Sequence, residues 1–208
     1  MEKSNIGEKI KLLTGSGMWH TREAEGLPSV HLSDGPHGLR KQEEKERQNN
    51  VSLVSTCYPT ASALACSWDV TAAERLGRAV AKEAWNADVA VLLGPGINMK
   101  RSPLCGRNFE YFSEDPFLAG RLGAAYVSAA QGENVAVSLK HFAANNQETN
   151  RQTSNSQIDE RALREIYLSA FEYVVKTARP ATVMASYNRL NGYYACENRH
   201  LLTEILRE

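Results

Sequence analysis

Apolar positions recur along this chain in two different periods. From Asp69 to Trp85, Val70, Ala73, Leu76, Ala79, Val80 and Ala84 keep a near-3.6 spacing, which predicts an amphipathic helix. The same period returns between Asp159 and Ala178 in Leu163, Ile166, Tyr167, Ala170, Phe171, Val174 and Val175, and Pro180 ends it. A third helix is expected from Ser113 to about Gln131, with Ser113 as N-cap, acidic residues in the first turn and Gly132 at its end. Ile6 to Leu13 reads as a short amphipathic helix, and Asn198 to Glu208 as the start of another. Between the helices lie the apolar runs Val89–Leu93, Val135–Leu139 and Ala181–Ser186. The first two predict strands buried on both faces, as in a parallel sheet, and the third predicts a further strand. Val30 to Asp34 reads as a first short strand, and the small-residue segment Thr60–Ser67 as a strand or strand edge. The charged run Lys41–Asn50 reads as a solvated loop.

Strand and helix alternate, so the fold class is α/β with a parallel sheet, in about five βα units. A closed barrel of eight such units takes about 250 residues. The chain has 208, which suits the first five-eighths of a (β/α)8 TIM-type barrel. Charge then narrows the partners. Lys+Arg and Asp+Glu both number 24, and a net charge of zero argues against a general binder of nucleic acid or of a membrane surface. No apolar run approaches the ~18 residues of a membrane span. The first nine residues, Met1 to Lys9, lack the apolar core of a secretory signal, so a cytoplasmic location is expected. Cys57, Cys66, Cys105 and Cys196 form no Cys-x-x-Cys pair; four buried thiols are expected, with no structural metal and no cofactor. Asn50-Val51-Ser52 fits a glycosylation acceptor but carries little weight without an export signal.

In α/β barrels the chemistry gathers at the C-terminal ends of the strands. Here those ends carry Asp34; then Arg107, Asn108 and Glu110; then Lys140 and His141, followed by Asn145, Asn146, Glu148 and Arg151; then Met184, Tyr187 and Asn188. Each has an ordinary explanation on its own. Asp34-Gly35-Pro36 is a common turn, Arg107 could pair with Glu110 at the surface, and Met184 could be plain core. Lys140 is harder to dismiss, because burying an unpaired ammonium costs several kcal/mol. Together these residues put a carboxylate, two guanidinium groups, an ammonium and an imidazole on one rim. That set suits a ligand dense in hydroxyls, each able to donate and accept. Phosphate is the rival ligand, but no phosphate loop accompanies it. Gly94-Pro95-Gly96-Ile97-Asn98-Met99 only partly echoes a dinucleotide fingerprint, and no Gly-x-Ser-x-Gly elbow is present.

At these residues the sequence resembles glycoside hydrolase family 3, the β-glucosidase type. The matching stretches are Ser33-Asp-Gly-Pro-His-Gly-Leu-Arg40, Gly94-Pro-Gly-Ile-Asn98, Gly106-Arg-Asn-Phe-Glu-Tyr-Phe-Ser-Glu-Asp-Pro116, Lys140-His-Phe-Ala-Ala-Asn-Asn-Gln-Glu148, Arg161-Ala-Leu-Arg-Glu-Ile-Tyr167 and Met184-Ala-Ser-Tyr-Asn-Arg-Leu-Asn-Gly192. The resemblance implies that residues 1–208 are the N-terminal part of the family's barrel domain. It implies a sugar subsite in which Asp34 accepts from hydroxyls on the far edge of the ring. Arg107, Lys140, His141 and Arg151 would contact the other hydroxyls, and Met184 and Tyr187 would form the wall, with Tyr187 near the anomeric carbon. In the family's N-acetylglucosaminidases a Pro-Gly-His-Gly stretch follows Lys-His-Phe. Here it is Ala143-Ala-Asn-Asn146, which favours glucosidase-like specificity.

A retaining glycosidase needs two carboxylates about 5–5.5 Å apart. The resemblance implies a nucleophilic Asp in a Ser-Asp-Trp-like motif on the next strand and an acid/base from a later domain. Trp19, Trp68 and Trp85 are the only tryptophans and none follows Ser-Asp. The expectation is therefore a portion of a retaining β-glycosidase that holds a β-linked glucoside or related sugar and is inactive alone. Glu110 and Glu148 are expected to orient the Arg and Lys residues near them. Unpaired barrel edges would favour self-association. A non-catalytic sugar-binding protein and a glycoside phosphorylase are the alternatives.

Overall fold

The computed structural model describes residues 6–24, 26–42 and 51–208. Residues 43–50, which hold most of the charged run and the Asn50 of the glycosylation pattern, lie outside the described residues.

Four parallel strands form the main sheet: β1 (Leu32–Asp34), β2 (Val91–Leu93), β3 (Ala136–Phe142) and β5 (Thr182–Ala185), in the order β1-β2-β3-β5. Leu32 pairs with Val91, Val91 with Ala136, and Leu139 with Val183. Neighbours in the sheet thus follow chain order, as successive βα units require. The connections are helical: α3 (Val70–Asn86) precedes β2, α4 (Pro116–Gln131) joins β2 to β3, and α6 (Ser169–Ala178) precedes β5. Helix α3 packs on α4, and α4 on α6. Val80, Leu92, Leu122, Val127, Leu139, Phe171 and Val174 join one continuous core beneath them. This is the parallel sheet with interleaved helices of a partial (β/α)8 barrel. Gly77 shows how closely α3 and α4 approach: a Cβ there would lie 2.5 Å from the Tyr126 carbonyl oxygen. Among the described residues no helix is long and apolar enough to cross a membrane.

Several expectations change. Thr60–Ser67 is not a strand: Ala61–Ala65 is helix α2, and the Thr60 side chain caps it by accepting the Ala63 N–H at 3.2 Å. Its buried residues Ala61, Leu64 and Ala65 are spaced for a helix face, a signal hidden by the uniformly small side chains. The sheet therefore has four strands where five were expected. The N-cap of α4 is Asp115, whose carboxylate accepts from Phe117 and Leu118; the Ser113 hydroxyl accepts one step earlier, from the Asp115 N–H. The long helix expected from Asp159 is divided into α5 (Glu160–Ala162), a π-helical stretch Leu163–Leu168, and α6. The closing helix is likewise π-helical over His200–Ile205. Helix α1 (Ile6–Lys11) buries none of its residues, so no apolar face of it meets the core. Cys105 alone of the four thiols is buried; Cys57, Cys66 and Cys196 are exposed. A second small sheet, of β4 (Asn155–Ser156), β6 (Arg189–Leu190) and β7 (Tyr193–Tyr194), was not anticipated, because two-residue strands carry no readable period.

Candidate functional site

The strand ends open onto one cleft of about 760 Å³. Asp34 is the last residue of β1, and Arg107 caps the 3-10 turn Asn108–Glu110 that follows β2. Lys140 and His141 lie inside β3 near its end, Arg151 in the turn after it, Met184 in β5 and Tyr187 just beyond. All seven of these sequence-identified residues line the cleft, together with Met18, Trp19, Arg40, Phe109, Glu110 and Glu148.

Backbone geometry fixes the two β3 residues. The Ile97 N–H donates to the Lys140 carbonyl at 2.9 Å, and the Lys140 N–H donates to the Pro95 carbonyl at 3.1 Å. Asn98 then clamps His141 from both sides: its Nδ2 donates to the His141 carbonyl at 2.8 Å, and its Oδ1 accepts the His141 N–H at 2.7 Å. The Gly94–Asn98 segment is thus a support for β3 and not a phosphate cradle. Gly96 within it has a steric reason, since a Cβ would stand 2.8 Å from the Tyr111 ring.

Charge is balanced locally. Lys140 is 2% exposed and Glu110 4% exposed, and their side chains meet at 3.0 Å between Nζ and Oε2. The other Glu110 oxygen accepts from Arg107 Nε. Burial alone would raise the Glu110 carboxyl; Lys140 and Arg107 outweigh it and hold the group below its ordinary range. For Arg107, burial acts to lower and the Glu110 contact to raise, and the net direction is up. Glu148 serves Arg151 at 3.0 Å and stands 3.9 Å from Arg107. The Arg151 guanidinium lies 5.1 Å from the Tyr187 ring centroid, a cation–π contact on the cleft wall. Asp34 is less engaged, with Arg40 at 3.5 Å and a side chain 28% exposed. His141 is buried; that burial, and then Arg107, Lys140 and Arg151, push its imidazole down to about 2, so it is neutral.

Sequence reasoning gave no supporting role to three residues, although it placed Asn145 among the polar residues after the Lys140-His141 strand end. Tyr111 hydrogen-bonds His141, Asn145 hydrogen-bonds both Tyr111 and Glu148, and Asn98 holds the β3 backbone. All three are buried polar side chains inside the quoted motifs, and polar residues within apolar surroundings were the available signal. Trp19 and Phe109 also reach the cleft from segments with no periodic pattern.

The profile of the glycosyl hydrolase family 3 N-terminal domain matches residues 36–208. The chain belongs to glycosyl hydrolase family 3. It is 52% identical over 211 residues to the thermostable beta-glucosidase B of Acetivibrio thermocellus, covering 100% of this chain and 28% of that relative. It is 48% identical over 208 residues to an exo-alpha-(1->6)-L-arabinopyranosidase of Bifidobacterium longum, covering 98% of this chain and 28% of the relative. Among solved structures, beta-glucosidase 3B from Thermotoga neapolitana in complex with glucose matches with a TM-score of 0.91 and 41% identity. That match covers 98% of this chain and 31% of the other. The family 3 domain described here therefore spans under a third of these relatives.

Removing the charge at Glu110 gives a direct check on this electrostatic arrangement. Glu110→Gln leaves Lys140 buried without a counter-charge and is expected to cost about 3–5 kcal/mol in urea unfolding. The sign with pH follows from the lowered carboxyl. The Glu110 contribution is complete above the unfolded value of about 4.3 and fades as pH falls through the lower folded value. The wild-type chain should lose stability below about pH 4.3 more steeply than Glu110→Gln. Equal acid slopes for the two would contradict the pairing.

Proposed function

We infer that the cleft is the glycone subsite of a retaining β-glycosidase, and that residues 1–208 are the N-terminal part of its barrel domain. The supporting observation is that Asp34, Arg107, Lys140, His141, Arg151, Met184 and Tyr187, carried by four separate strand ends, all face one cavity. In this reading Asp34 accepts from hydroxyls at the far edge of a pyranose. The buried cations and His141 donate to the others, and Met184 and Tyr187 form the wall beside the anomeric carbon. Donors held in place before the ligand arrives spend less free energy on being ordered by it.

The cleft's own carboxylates set the limit of this chemistry. Glu110 is bonded through both oxygens to Lys140 and Arg107. Glu148 is bonded to Asn145 through one oxygen and Arg151 through the other. Neither is free to attack an anomeric carbon or to hand over a proton, and Asp34 alone does not make a pair. The nucleophile and acid/base of the proposed reaction therefore come from outside residues 1–208, and this chain supplies recognition. The arabinopyranosidase relative, 48% identical, supports a second reading of the sugar itself, L-arabinopyranose in place of glucose. Both are pyranoses with a similar array of hydroxyls.

Calorimetry and an activity assay on the 208-residue chain test these assignments. Glucose or L-arabinose should bind, and Asp34→Asn should weaken binding by roughly 10- to 100-fold, the value of a charge-assisted hydrogen bond. An aryl β-glucoside should remain unhydrolysed. Unchanged sugar affinity in Asp34→Asn would remove the subsite, and turnover near ~1 s⁻¹ would remove the division of labour.

The reading extends to assembly. β5 ends the sheet order, with no strand paired on its outer side among the described residues. An edge of that kind offers its backbone groups to another chain. Size-exclusion chromatography is expected to show association that rises with concentration, and a monomer at every concentration would rule it out.

A further inference from the structure

The buried network behind His141 has a polarity that can be followed bond by bond. It starts at Glu148, whose carboxylate accepts from Arg151 at 3.0 Å. Its other oxygen, Oε1, lies 3.0 Å from Asn145 Nδ2. A carboxylate facing arginines accepts only, so the Asn145 amide must turn its NH2 toward it. The same Nδ2 lies 2.8 Å from Tyr111 Oη, and its second N–H donates there. The phenol oxygen is therefore already an acceptor. Its own O–H has one remaining partner among the described residues, His141 Nδ1 at 2.9 Å. If Nδ1 carried a proton, two donors would point at Tyr111 and its hydroxyl hydrogen would be buried with nowhere to go, since Tyr111 is 0% exposed.

We propose that Tyr111 is a positioning residue that locks His141 in the tautomer with its proton on Nε2, so that the imidazole enters the cleft as a hydrogen-bond donor only. The two rings meet edge to face at 5.9 Å between centroids. The charged and titratable groups around His141 agree with a neutral ring. Arg107, Glu110 and Tyr111 come from the segment after β2, Lys140 from β3, and Glu148 and Arg151 from the loop after it; from the β5 side Met184 and Ala185 line the cleft, with Tyr187 beyond. Glu110 and Glu148 are spent on the three cations, and Asp34, the third carboxylate of the cleft, stands beside Arg40 at 3.5 Å on the β1 side. Burial pushes the Tyr111 phenol well above its ordinary value, so it keeps the proton it donates.

The consequence for recognition rests on the proposed sugar subsite. A donor-only His141 beside Arg107, Lys140 and Arg151 requires the ligand atoms facing that wall to accept. The tautomer itself does not depend on the sugar reading, and the experiment separates the two.

Long-range ¹H–¹⁵N correlation spectra of the labelled 208-residue chain read the tautomer directly, with His141 assigned by its loss in His141→Gln. The expected result is a pyridine-type Nδ1 and a pyrrole-type Nε2, unchanged between about pH 5 and pH 8. A proton on Nδ1, or two pyrrole-type nitrogens in that range, would overturn the proposal. Tyr111→Phe should lower the Nε2–H share at His141 while leaving His20, His37 and His200 as they were; an unaltered His141 pattern in a folded variant would also overturn it. Should that variant not fold, the wild-type spectrum alone decides. Added glucose should shift Nε2 more than Nδ1. If the wild-type tautomer is as stated and glucose leaves Nε2 unmoved, the donor role toward sugar falls while the Tyr111 lock stands.

Discussion

Glu110 sits between Lys140 and Arg107 with 4% of its surface exposed, and the positions of both cations depend on it. An ammonium as buried as Lys140 persists only if a counter-charge and hydrogen bonds replace its water. The carboxylate supplies both, and it also fixes where the Lys140 and Arg107 donors can reach. Glu148 repeats the arrangement for Arg151 nearer the surface. Ion pairs of this kind are weak evidence for stability, because desolvation offsets much of the attraction. Their value here is placement: donors stand at the cleft wall before any ligand is present.

The same economy runs through the backbone. The segment from Gly94 to Asn98 hydrogen-bonds β3 at Lys140 and His141, so the strand carrying the most buried donors is braced by the loop of its neighbour. Gly96 leaves room for the Tyr111 ring, which in turn faces His141. A single loop thereby couples main-chain position at β3 to the environment of its side chains. Asp34, on the other side of β2 in the sheet, is held more loosely, through an Arg40 contact at 3.5 Å. That leaves it as the cleft carboxylate with the most capacity to accept from a ligand.

Much of this was legible in the residues. Strands β2 and β3 are rich in apolar residues because they lie inside the sheet, and such runs stand out in a sequence; β5, at the end of the sheet order, is exposed to half-buried and is legible from its apolar residues alone. Lys140 and His141 were conspicuous because charge at the end of such a run is costly. Helix α2 was not legible: alanine and serine fit strand and helix alike, and the cap at Thr60 decides between them. The exposed thiols were missed because cysteine's preference for burial says nothing about a particular loop. The roles of Tyr111 and Asn145 were out of reach for another reason. Their meaning lies in contacts across 30 and 34 residues of sequence, which no local pattern encodes.

The central claim is that side chains from separate strand ends form one receptor for a pyranose. Chemical-shift mapping of the labelled chain during titration with glucose tests it most directly. The account predicts saturable changes that appear together at Asp34, Arg107, Lys140, His141, Arg151 and Tyr187, with a common affinity. Changes confined to other surfaces, or none at these residues at any attainable glucose concentration, would contradict it.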